Sequence, residues 1–129
     1  LKKYVSDSVA FLYFLLDRLP RRANKAFREA EEGRAVMYLP TIAAAELYYL
    51  FEKRGWLERW TELRNRMAEA VNFRYYPFNE RVLNLIRTTK AKELHDKIIV
   101  LTCRAVDADG LVTNDRELSA LGEVKTIWK

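Results

Sequence analysis

Apolar residues recur along this chain in two alternating rhythms. A short apolar run around Tyr4–Ser6 reads as a strand. From Ser8 to Leu19 the spacing lengthens, and Val9, Leu12, Tyr13, Leu15, Leu16 and Leu19 cover a core-facing stripe of a helix. Pro20 stops that helix and opens the next, Arg21–Glu32, which ends at Gly33. Ala35–Leu39 is a second strand. Pro40 and Thr41 launch an Ala-rich helix that runs to Arg54 and ends at Gly55. Trp56–Val71 is a further helix, with Trp56, Trp60, Leu63 and Met67 at helical spacing. Phe73–Phe78 is aromatic and strand-prone. Asn79 caps a helix over Glu80–Lys92, and Asp96 begins an apolar one that contains Ile98, Ile99, Leu101, Ala105 and Val106. Leu111–Thr113 is a buried strand, Asp115 opens a short helical turn to Ala120, and Val124–Trp128 is the last strand.

Strands and helices therefore alternate over the whole chain. Parallel neighbours need helical crossovers, so the pattern predicts an α/β sandwich on a mainly parallel sheet. In such sheets ligands bind beyond the carboxyl ends of the strands. Polar residues just after strands are the ones to weigh. No repeat, low-complexity segment or flexible linker interrupts the 129 residues, which read as a single domain, 1–129.

Composition narrows the chemistry by exclusion. One histidine and one cysteine leave no Cys/His zinc site, no internal disulfide and no two-histidine acid–base pair. The glycines, Gly33, Gly55, Gly110 and Gly122, are too scattered for a dinucleotide-binding or P-loop turn. No run reaches the about 18 apolar residues of a membrane span. Asp7 and Asp17 interrupt the apolar N-terminal stretch, against a signal peptide, and the free thiol fits a cytoplasmic setting. Lys and Arg number 23 against 18 Asp and Glu, a net +5 that favours a polyanionic partner such as RNA or DNA. Arg18, Arg21, Arg22, Lys25 and Arg28 follow one another with no acid among them, read either as a solvated helix or as a nucleic-acid contact.

Four carboxylates stand out. Asp7 directly follows the first strand, inside Tyr4-Val5-Ser6-Asp7-Ser8-Val9. Asp115 follows the Leu111–Thr113 strand, and Asp96 starts the most apolar helix. Each of these three is also a natural helix cap. Glu46 lies in Pro40-Thr41-Ile42-Ala43-Ala44-Ala45-Glu46-Leu47, where a packed carboxylate needs a cation, a metal or a cleft. The competing reading puts it on an exposed stripe. A parallel sheet gathers Asp7 and Asp115 at one edge. Clustered acids without histidine suit hard cations such as Mg²⁺ or Mn²⁺. In a basic domain that combination points to phosphodiester hydrolysis, with the cation activating water and stabilising charge on the attacked phosphate.

These residues, in this order, resemble the PIN-domain family, and within it the toxin ribonucleases of VapBC toxin–antitoxin pairs. The opening Tyr4-Val5-Ser6-Asp7-Ser8, the Pro40–Leu47 helix start, Leu94-His95-Asp96-Lys97-Ile98-Ile99 and Gly110-Leu111-Val112-Thr113-Asn114-Asp115 carry the resemblance. It implies a three-layer α/β/α sandwich with a five-stranded sheet of order 3-2-1-4-5. It implies Mg²⁺- or Mn²⁺-dependent cleavage of RNA that leaves a 3′-hydroxyl and a 5′-phosphate. Carried over, Asp7 and Asp96 bind the principal metal, Glu46 and Asp115 complete or support the site, and Ser8 and Thr113 are supporting hydroxyls. Val9 departs from the family's frequent Ser or Asn and removes one hydrogen bond. The resemblance also implies a homodimer and a cognate antitoxin, with Tyr48, Tyr49, Phe51, Trp56 and Trp60 forming the contact if they are not core. His95, beside Asp96, reads as a surface or supporting residue and stays outside the expected site. Two rivals remain on the residues alone: a catalytically silent scaffold of the same fold that binds RNA or protein, and a DNA nuclease or non-toxin RNA-processing enzyme.

Overall fold

The computed structural model describes residues 1–129. Its elements run β1 (Lys2–Ser6), α1 (Ser8–Leu15), α2 (Arg21–Glu31), β2 (Ala35–Pro40), α3 (Thr41–Arg54), α4 (Leu57–Glu69), β3 (Phe73–Tyr76), α5 (Glu80–Asn84), α6 (Leu94–Val106), β4 (Gly110–Val112), α7 (Arg116–Leu121) and β5 (Thr126–Ile127). All five strands are parallel, in the order β3-β2-β1-β4-β5, as the α/β reading requires. β1 is central: Val5 lies opposite Tyr38 on one side and Leu111 on the other. A strand flanked on both sides and covered by helices has no wet face, which is why Tyr4, Val5 and even Ser6 are buried.

Burial of the alternating apolar positions builds one large core, with Phe11, Phe27, Met37, Leu39, Leu47, Phe51 and Leu111 among its fully buried members. Phe11, Phe14, Phe27 and Phe73 form an aromatic block in which Phe14 stacks on Phe27 at 4.6 Å. A second small cluster, Val82, Ile98, Leu101 and Ala105, ties α5 to α6. Gly110 is required by contact: a Cβ there would meet Ile127 Cδ1 at 2.5 Å, so β4 and β5 approach only over a glycine.

Four element boundaries differ from the sequence reading. α1 stops at Leu15, four residues before the expected Leu19. Asp17 adopts a left-handed φ of 56°, and Arg18 and Asp17 donate to the carbonyls of Tyr13 and Phe14, which closes the helix early. The single helix expected over Glu80–Lys92 breaks after Asn84 into a short 3₁₀ turn, Ile86–Thr88. Thr88 turns its hydroxyl onto the Leu85 carbonyl, Arg104 binds Thr88, and Glu123 takes the Lys90 N–H. Those tertiary anchors outweigh the helical continuation. α6 starts at Leu94, so Asp96 sits within its first turn and caps nothing. The last strand is only Thr126–Ile127, shorter than Val124–Trp128.

Candidate active site

The parallel sheet delivers β1 and β4 to the same edge, and with them Asp7 and Asp115. Asp7 does cap α1: its Oδ1 accepts the Ala10 N–H at 2.8 Å. Asp115 caps α7 through Oδ1, which accepts from Glu117 at 2.8 Å and Leu118 at 3.2 Å. Capping and work at a site are not exclusive here, because each carboxylate also faces a common cavity of about 290 Å³. α3 brings Glu46 to the same cavity, its neighbours Ala43, Ala44 and Leu47 being buried while Glu46 is half-buried. Asp96 enters from the first turn of α6. All four acids singled out in the sequence therefore line one concavity, together with Ser8 and Val9.

Thr113 joins the two strand-end acids. Its hydroxyl donates to Asp7 Oδ2 and accepts the Asp115 N–H at 3.0 Å, so the buried hydroxyl is fully used. Ser8 lines the cavity wall. Two further acid–base residues line the cavity: Glu93, which the sequence reading did not weigh, and His95, which it left outside the site as a surface or supporting residue. Glu93, just before α6, adds a fifth carboxylate to the lining. His95 also lines it, with Nδ1 2.9 Å from Glu46 Oε2. Adjacency to Asp96 was the signal for His95; Glu93, three residues before Asp96, sits in no apolar pattern that would mark it.

Five carboxylates with no Lys or Arg in the lining is a strongly unfavourable arrangement. The Asp7 carboxyl is pushed up to about 6, first by burial, which the Thr113 and Ala10 hydrogen bonds oppose and the charges of Asp115 and Glu46 reinforce. Asp96 is also raised to about 6, by burial and then by Glu93, Asp115, Glu117 and Glu46. The donors are hard oxygens with one imidazole, the set that hard divalent cations take. No three His, Cys, Asp or Glu side chains are gathered into a ready-made cage. A cation such as Mg²⁺ keeps several waters and takes only one or two carboxylates. The residues present thus fit a hydrated divalent cation, with Asp7 and Asp96 the nearest to needing one.

The acidic cavity lies at the carboxyl edge of a parallel α/β sheet, where such folds bind their ligands. The chain belongs to the PIN-domain family, whose profile matches residues 4–124. PIN domains are nucleases and generally use divalent cations. Comparison with curated proteins found no sequence match. Among solved structures, the fold is shared with VapBC2 from Rickettsia felis bound to a DNA fragment from their promoter, at 17% identity and a TM-score of 0.72 over 98% of this chain and 99% of that one. It is also shared with a toxin–antitoxin complex from Klebsiella pneumoniae, at 22% identity and a TM-score of 0.58 over 91% and 90%. The PIN domain endonuclease Utp24 aligns at 14% identity and a TM-score of 0.52 over 97% and 90%. No helix is long and apolar enough to cross a membrane.

Proposed function

We propose that the acidic cavity hydrolyses RNA phosphodiesters with Mg²⁺ or Mn²⁺, and that the protein is the toxin of a toxin–antitoxin pair, working in the cytoplasm as one domain over 1–129. The observation that carries the reading is the acidic cavity: five carboxylates with no Lys or Arg among them, in a chain of net charge +5. Only Glu46 is partnered, by His95; the other four have no ion-pair partner within the chain, which supports a cation as the missing one. In this reading Asp7 and Asp96 hold the cation, and Glu46 and Asp115 complete or support the site. When bound, the cation supplies stabilisation of negative charge on the phosphate and acidification of water.

The chain's own groups do the positioning. Thr113 holds Asp7 and the Asp115 backbone in one orientation, and Ser8 offers a further hydroxyl at the wall. Glu46 orients His95 through Nδ1, which leaves the other ring nitrogen for a proton or a phosphate oxygen. Asp96 also borders a second cavity, whose lining includes Lys90 and Lys92. Those lysines stand ready for phosphates that flank the scissile one.

The toxin assignment is supported by the toxin–antitoxin complexes that share this fold. A partner surface is present where the aromatic residues split. Phe51 is core and Trp60 half-buried, whereas Tyr49 is 61% exposed, Trp56 40% and Leu57 49% at the α3–α4 turn. Exposed aromatics of this kind anchor protein contacts, and we assign them to a homodimer and a cognate antitoxin.

The test is cleavage of RNA and DNA panels by the metal-free protein, with Mg²⁺ or Mn²⁺ added back. RNA is expected to be cut to 3′-hydroxyl and 5′-phosphate ends, with loss of activity in EDTA and in Asp96→Asn. Cleavage that survives both would sink the reading. Preference for DNA would select the rival nuclease, and metal binding without turnover the silent scaffold.

A further inference from the structure

A second charged concavity lies at the opposite edge of the sheet, where the strands begin. It measures about 200 Å³ and sits between α2, the start of β1 and the segment entering β5. Lys2, Arg22, Lys25 and Lys125 line it, with Glu29 the single acid. Glu29 is already satisfied. It is 6% exposed, accepts the Tyr4 hydroxyl at 2.9 Å, and lies 3.9 Å from Lys2 Nζ and 3.6 Å from Arg34. Arg22, Lys25 and Lys125 have no ion-pair partner at all.

Some arginines elsewhere are paired: Arg59 with Glu62, Arg66 with Glu31 and Arg104 with Glu123. The four exposed cations of α2 are unpaired and gathered on one short helix. Arg21, Arg22, Lys25 and Arg28 are all exposed, at three- and four-residue spacings, with no acid among them. Like charges at these spacings repel, and Arg21 and Arg22 also oppose the positive end of the helix dipole. Ala23, Ala26, Phe27 and Ala30 hold the helix on the core regardless. Glu29 is the one acid in the cavity and is already engaged by Tyr4, Lys2 and Arg34, so the cations keep an excess of positive charge that favours an external polyanion.

We propose that this cavity is a phosphate-binding anchor for a nucleic-acid strand, separate from the acidic cavity. At about 200 Å³ it is below the roughly 300–1,000 Å³ of pockets for drug-sized ligands, and it suits a phosphate group. Arg21 and Arg28 extend the basic surface along the helix, which fits a row of phosphates better than one isolated anion. The two cavities stand at opposite ends of β1, about 17 Å apart by the strand's rise. An RNA that occupies both must be longer than the nucleotides that flank the cleaved bond. The proposal rests on the nuclease reading only for the choice of RNA as probe, since these cations recognise phosphodiesters whether or not one is cut.

The experiment measures binding of a labelled single-stranded RNA of about 20 nucleotides in EDTA, so that binding is read apart from cleavage. The variant carries Arg22→Gln, Lys25→Gln and Lys125→Gln. A charge-matched control carries Arg54→Gln, Arg74→Gln and Arg81→Gln. The cavity variant is expected to bind at least about tenfold more weakly and to lose about 2 from the slope of log affinity against log salt, as three lost single-strand phosphate contacts require. The control stays near wild type. DNA of the same sequence is expected to lose affinity equally, because phosphates are the ligand. On metal-loaded protein, KM rises for long RNA with kcat unchanged, and neither changes for a substrate of a few nucleotides. The variant melts at or above the wild-type temperature, since repulsion has been removed; Lys25→Glu alone gives a second, single-site check of the binding loss. Wild-type affinity in the cavity variant, or an equal loss in the control, would overturn the anchor. Cation-dependent binding with no cleavage under any metal would leave the anchor standing and overturn the nuclease.

Discussion

Two carboxylates lie close to β1, at opposite ends of it, and the protein treats them differently. Glu29, at the amino edge, is 6% exposed and meets a tyrosine hydroxyl, a lysine and an arginine. Asp7, at the carboxyl edge, meets a threonine hydroxyl and a backbone N–H but no cation, and its charged neighbours are other acids. The desolvation problem is the same at both ends. At the amino edge the chain solves it with its own residues. At the carboxyl edge it leaves the deficit, and the raised pKa of Asp7, about 6, is the measure of that deficit. In the proposed function this is the difference between a structural charge, neutralised internally, and a working one, held ready for something outside.

The sharpest way to break the contrast is to neutralise Asp7 alone. Asp7→Asn keeps the helix cap, since Asn caps as well as Asp, but removes the negative charge. RNA cleavage is expected to fall on the order of 10³-fold, the scale of losing one key electrostatic group, measured as kcat/KM at saturating Mg²⁺. Next in size is Glu29→Ala, which strands a buried Tyr4 hydroxyl and two cations. Denaturant melts should show a loss of about 2–3 kcal/mol, with cleavage of a substrate of a few nucleotides, too short to reach the basic cavity, unchanged per folded molecule. Glu29→Gln, which keeps an acceptor for Tyr4, should lose less.

Thr113→Val comes third. It removes the hydroxyl from Asp7 and the acceptor from the Asp115 N–H, so metal affinity should drop about 10–100-fold, read by calorimetric titration. The Asp7 carboxyl should also titrate higher, because a hydrogen bond that holds it down is gone. A further effect is on the pH dependence of stability. Asp7 binds its proton more tightly in the folded state, about 6 against 3.8, so the folded chain carries the extra proton between those values. Stability therefore falls as pH rises from about 3.8 to 6, and the loss is complete above 6. Asp7→Asn should melt a few degrees above wild type at pH 7 and alongside it below pH ~3.8, and Mg²⁺ should raise only the wild type.

Much of this site was legible because its residues break local patterns. Asp7 and Asp115 stand at the ends of apolar strands, and Glu46 interrupts an Ala-rich face. A polar residue in an apolar rhythm is visible without coordinates. Glu93 was not legible, because it lies where polar residues are ordinary, and His95 was visible beside Asp96 but gave no sign of its contact with Glu46. They line the cavity only because the Glu80–Asn84 helix breaks early and α6 begins at Leu94. The same holds for the basic edge. The run from Arg18 to Arg28 was evident, but Lys2 and Lys125 join it only through the parallel pairing of β1, β4 and β5.

The sequence by itself determined the alternation of strands and helices, the parallel sheet that follows from it, and the four acids at positions where a carboxylate is out of place. Hydrophobic periodicity and caps are local, so a linear reading reaches them. Tertiary structure decided how the acids are partnered: Asp7 through Thr113, Glu46 through His95, and Asp96 with no hydrogen bond or ion pair to its carboxylate. It also decided that Glu29 is paired while the arginines of α2 are not. Those outcomes depend on residues far apart in the chain, brought together only when the strands take the order β3-β2-β1-β4-β5.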